Sequence, residues 1–85
     1  MKLLVISVRD SVSGAFTQPS FVRSKGEAIR SFSDAVGSKD SGFCAHPADY
    51  TLYYIGEFDD LSGEINGLRD IEKLITGAEC QANMA

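Results

Sequence analysis

Eighty-five residues make one domain, because two would leave each half with too little interior to offset its chain entropy. A content of 44% hydrophobic and 24% charged residues excludes a disordered chain. The net charge of −4 argues against a polycation, yet it is unevenly spread. Residues 1–42 hold six Lys/Arg against four Asp/Glu, for +2, and residues 43–85 hold two against eight, for −6. A polyanion needs only a local basic face, so the first half keeps nucleic acid open as a ligand.

The longest apolar run, Leu3 to Ile6, is far short of a membrane helix, and Ser7, Arg9 and Asp10 interrupt it too early for a secretory signal. The expected location is the cytoplasm, with no membrane partner. Cys44 and Cys80 stand 36 positions apart without a CxxC or Cys/His cluster, so they read as reduced thiols and no zinc site is expected.

In chain order, residues 2–9, KLLVISVR, read as a first strand that ends at the turn DSVSG. The run Ala15–Arg23 contains Pro19, which cannot donate to a central ladder, and reads as an edge strand paired back on the first. Ser24 and Glu27 form a capping-box pattern, and Ala28, Ile29, Phe32, Ala35 and Val36 share one face. A helix is therefore expected over about 25–36, with Gly37 as a left-handed stop. After a polar loop, His46-Pro47 opens a turn or a single helical turn. Tyr50–Phe58 reads as a central strand, because both faces are apolar. Simple alternation puts Tyr50, Leu52, Tyr54 and Phe58 on one face, and Thr51, Tyr53, Ile55 and Glu57 on the other. Asp59–Gly63 supplies a hairpin turn and Glu64 to about Leu68 the returning strand. In DIEKLITGAEC, Ile71, Leu74 and Ile75 lie at helical spacing with Gly77 as a stop, which predicts a short final helix. The expectation is one α+β domain over residues 1–80 and a frayed tail over 81–85. Its four-stranded, mostly antiparallel sheet in the order ββαββ carries one main covering helix and a short C-terminal helix.

No catalytic constellation is expected. His46 has no nucleophile and orienting acid that spacing places around it, and it reads as a loop histidine before Pro47. Glu57, Asp59, Asp60 and Glu64 lack the alternation of a calcium loop and read as a solvated turn; no Walker motif is present. The chain thus reads as a non-enzyme without a cofactor or metal. Nucleic-acid binding needs cations for phosphate and aromatics for bases. The candidate cations are Lys2, Arg9, Arg23, Lys25 and Arg30, and the candidate aromatics are Phe16, Phe21, Tyr53 and Tyr54. The chosen set is the five cations with Phe21 and Tyr53. Two other readings stay open. One is an interaction module that recruits a replication protein through the acidic second half, and the other is a homodimer through the edge strand or the aromatic sheet face.

The segments MKLL, AIRSFSDAV, HPADYTLYYIGEFDD and SGEI together resemble the small non-structural protein of gokushoviruses, single-stranded DNA phages of the microvirus group. The likeness covers about residues 1–66. It implies a protein made during infection in the host cytoplasm, absent from the mature capsid, that binds DNA and favours single-stranded genome synthesis or packaging. It brings no binding residues, so the candidate site rests on the side chains named above.

Overall fold

The computed structural model describes residues 1–83. The aliphatic opening segment forms β1 (Lys2–Asp10), and the chain returns along it as the short strand β2 (Ser20–Val22). Helices α1 (Lys25–Gly37) and α2 (Gly42–Ala45) follow, then a 3₁₀ turn (Pro47–Asp49) and the long hairpin of β3 (Tyr50–Asp59) and β4 (Ile65–Thr76). The described chain ends in α3 (Gly77–Asn83). Of the tail expected over 81–85, Gln81–Asn83 belong to α3 and residues 84–85 lie outside the described residues. The sheet is antiparallel throughout, in the order β2-β1-β3-β4, so β3 is central and the strand beside Pro19 is an edge, as the residues predicted.

All three helices pack on one side of this sheet. The core joins Ile6, Val8, Val22 and Leu52 from the strands to Ala28, Phe32 and Val36 of α1 and Cys80 of α3. Phe43 of α2 meets both Phe32 and Tyr50 edge-on. The Ser24 hydroxyl accepts from the Glu27 N–H at 3.1 Å, which starts α1 where the capping pattern placed it. Its end differs from the expectation. Gly37 is the last helical residue rather than a left-handed stop, and the Ser38 N–H closes the helix by donating to the Ala35 carbonyl.

The two hairpin turns share one construction. In Asp10–Gly14 and in Asp59–Gly63, the Asp carboxylate accepts from the N–H two residues on, at 3.0 and 2.9 Å. In each, the Gly N–H donates to the Asp carbonyl at 2.8 Å, and Gly14 and Gly63 take φ of 78° and 79°. That is the left-handed region where glycine carries no steric penalty. The sequence pattern D-x-[V/L]-S-G, present twice, is the signature of this turn.

Three irregularities separate the structure from simple alternation, the smallest being Leu74, an extra residue on β4 between the pairs Leu52–Ile75 and Tyr53–Lys73. On β3, Val5 of β1 faces Gly56 while the next residue, Ile6, faces Tyr54, so Ile55 is the extra residue. From there the phase reverses: Phe58 lies on the side of Tyr53, and Glu57 on the side of Leu52 and Tyr54. That corrects the predicted face assignment, because one inserted residue sends every later side chain to the opposite face. On β4, Gly67 faces Gly56 and Glu72 faces Tyr54, which leaves residues 68–71 as a wide bulge opposite Ile55. The segment predicted as a final helix, 70–76, is therefore strand, and α3 begins at Gly77 instead of ending there. The spacing of Ile71, Leu74 and Ile75 suits a helix, but β3 offers that segment a ladder of long-range backbone hydrogen bonds, and tertiary pairing outweighs a weak local preference.

Candidate nucleic-acid interface

The sheet face away from the helices is set by the odd-numbered residues of β1, and the register gives its rows. Leu3 faces Phe58; Val5 lies between Phe21 and Gly56; Ser7 faces Tyr53, which faces Lys73; Arg9 lies between Phe16 and Thr51. Four aromatic rings meet over this face in two pairs. Phe16 and Tyr53 have centroids 5.7 Å apart at 63°, and Phe21 and Phe58 have centroids 5.4 Å apart at 58°. The first pair is edge-on, which matches the positive edge of one ring to the negative face of the other, and the second is tilted. Each pair reaches across β1, which is why Val5 and Ser7 are buried on a face that no helix covers. Phe16 and Phe21 keep 42% and 47% of their surface open, enough to receive a flat ligand.

Phe16 is held there by the residue that follows it. The Thr17 N–H donates to the Val8 carbonyl at 2.8 Å, the Val8 N–H donates to Thr17 Oγ1 at 3.1 Å, and the Ser7 hydroxyl donates to the Thr17 carbonyl at 2.7 Å. These bonds tie the edge to β1 just before Gln18-Pro19, the β1–β2 ladder resumes at Ser20, and between the two the pairing register slips by one residue. A slip is where an edge strand tolerates a proline, since no ladder bond is lost.

The carboxylates at paired strand positions all lie on one side of the sheet. Among the paired positions of the helix-free face stand Arg9 and Lys73, and no Asp or Glu. Arg23 is exposed and follows β2 by one residue, two positions from Phe21. The acidic residues at paired strand positions, Asp10, Glu57, Asp59 and Glu72, fall at the alternate positions, on the helix side, and Asp70 lies in the unpaired stretch 68–71 of β4. Of the predicted site residues, then, Arg9, Phe21 and Tyr53 come together on the helix-free face, with Arg23 at its margin. Lys25 lies on the helix side, 2.8 Å from Glu72 and with its Nζ 5.7 Å from the centroid of Tyr54. Lys2 faces Asp59 in a polar concavity that it shares with Glu57, Glu64 and Asn66. Arg30 is exposed on α1. Phe58 and Lys73 join the face without having been singled out in the sequence. Phe58 was hidden by the bulge at Ile55, and Lys73 by the reading of its segment as helix.

The other groups with chemical potential are dispersed. Cys44 and Cys80 are free thiols, and the Ser33 hydroxyl donates to Cys80 Sγ at 3.3 Å. Among the described residues no group of His, Cys, Asp and Glu is placed to hold a metal ion, and no helix is long and apolar enough to cross a membrane. At the β3–β4 turn the Leu61 N–H donates to Asp59, and this bond holds the carboxyl below its ordinary value of 3.8.

No curated protein and no solved structure matches the chain. The family model of the phage ORF5 protein matches residues 3–80, from the start of β1 into α3. The chain belongs to the phage ORF5 protein family.

Proposed function

We propose that this phage protein binds single-stranded DNA on the helix-free face of its sheet, as a non-structural accessory factor in genome replication or packaging. In this reading it works in the host cytoplasm, and its phage is of the gokushovirus type. One observation carries the reading: the face gathers four aromatic rings beside Arg9, Lys73 and Arg23, while every strand carboxylate at a paired position points the other way. Rings stack on any base, which makes them tolerant of sequence, and cations meet the backbone phosphates. A duplex keeps its bases inside the stack, so a shallow face of rings selects single strands. Fluorescence anisotropy with a labelled oligonucleotide tests this. Binding at low salt is expected, and its absence from protein that is folded by circular dichroism would sink the proposal.

A second reading draws on the opposite side. Glu57, Asp59 and Glu64 gather around Lys2 at the β3–β4 end, an acidic surface suited to a basic protein partner. Pull-down from infected cells after nuclease treatment separates the two, because a DNA-bridged partner is lost and a direct one is kept.

A further inference from the structure

The two ring pairs are not equivalent positions on a uniform surface, and their spacing bears on what length of strand fits. Phe16 stands beside Arg9 and Phe21 beside Val5, four residues apart along β1; Tyr53 and Phe58 stand beside Ser7 and Leu3, again four apart. At about 3.3 Å per residue, the pairs are roughly 13 Å apart. Within each pair the β2-side ring is the open one, at 42% for Phe16 and 47% for Phe21, while Tyr53 and Phe58 are half-buried. The rings are tilted by 63° and 58°, so the half-buried member braces its partner instead of lying flat beside it. Arg9 stands next to the first open ring, and Arg23 follows two residues after the second.

We infer that a single strand runs along the β2 side of the face, parallel to β1, with one base on Phe16, another on Phe21, and a footprint of only about three to five nucleotides. Stacked bases rise about 3.4 Å each, so roughly 13 Å spans about four of them, and a drawn-out strand covers it in fewer. That is the short end of the range for single-domain binders, about 4–16 nucleotides. Phe16 and Phe21 touch the bases, whereas Tyr53 and Phe58 are positioning residues. This deepens the DNA-binding reading above and rests on it.

The test is a series of labelled oligothymidylates from two to about fifteen nucleotides, measured at low salt with the full chain. Affinity is expected to climb to about five nucleotides and then to grow only with the number of registers available. Phe16→Ala and Phe21→Ala should each weaken binding about tenfold while the circular dichroism spectrum is kept, since neither residue is part of the buried core. Tyr53→Ala should weaken it and Tyr53→Phe restore it, because the brace needs a ring and not a hydroxyl. An affinity that keeps climbing steeply beyond about ten nucleotides would overturn the short footprint while leaving DNA binding intact. Unchanged affinity in both phenylalanine variants would do the same for the stacking positions. If no oligonucleotide binds, the DNA-binding reading itself falls.

Discussion

At Gly56 the chain has no room for a side chain. A Cβ built there would lie 2.6 Å from the backbone carbonyl oxygen of Asn66, and backbone cannot swing aside. Its cross-strand partner Gly67 has nothing within 4 Å of the same position. The pair gives a controlled prediction: Gly56→Ala should cost about 1–3 kcal/mol, and Gly67→Ala should be close to neutral. For a domain of this size the first change lowers the melting temperature by roughly 4–8 °C per kcal/mol, readable by calorimetry. Gly77 is tighter still: an added Cβ would run into the Pro47 carbonyl, and the missing side chain lets the start of α3 lie close on the 3₁₀ turn. Asp59 carries the pH dependence of the β3–β4 turn. Its folded carboxyl sits below the ordinary 3.8 because the Leu61 N–H binds the ionised form, so its contribution is present above that value and is lost as the pH falls through the folded value. A carboxyl titration by NMR should place Asp59 below 3.8, and Asp59→Asn should remove that part of the acid sensitivity.

The elements differ in how local their causes are. α1 is specified by its own residues: the Ser24 cap and the apolar stripe Ala28, Phe32 and Val36, flanked by the half-buried Ile29 and Ala35. Ser24→Ala removes the acceptor for the Glu27 N–H and should cost about 1 kcal/mol, measured by urea unfolding. The twin turns are equally local, since Asp and Gly at fixed spacing supply both the acceptor and the positive φ. β4 is not local. Its ends pair with β3, but residues 68–71 leave the ladder, and this twelve-residue outer strand is broken in the middle. An edge interrupted by a bulge with Arg69 and Asp70 in it is a poor template for another chain's strand.

Across the sheet, the basic residues beside the rings are set by which face a strand position takes and not by the half of the sequence it comes from. The +2 and −6 halves predicted one basic surface from residues 1–42, yet Lys2 and Lys25 lie among carboxylates on the helix side. Lys73 comes to the aromatic face from the acidic half. Three cations beside the rings, in place of five, set the salt dependence. At about 0.7 per phosphate for a single strand, log K should fall with log salt at a slope of about −2, where five would give about −3.5. Anisotropy titrations across a range of salt concentrations distinguish the two. Lys25→Ala should leave that slope unchanged, because its ammonium is engaged by Glu72 across the sheet from the rings.

By itself the sequence determined the α+β class, the strand order up to β3, the cap and stripe of α1 and the chemistry of both turns, because each depends on residues within a few positions of one another. It also placed Phe21, Tyr53 and Arg9 as candidates, by residue type alone. Only the tertiary structure decided which side chains share a face. Alternation holds until a bulge, and the bulge at Ile55 depends on how β3 meets β1 and β4, strands that are distant in the chain. That one residue moved Phe58 to the rings and Glu57 away from them. The strand state of 70–76 was decided in the same way, by hydrogen bonds to β3 that no local pattern encodes, and with it the place of Lys73.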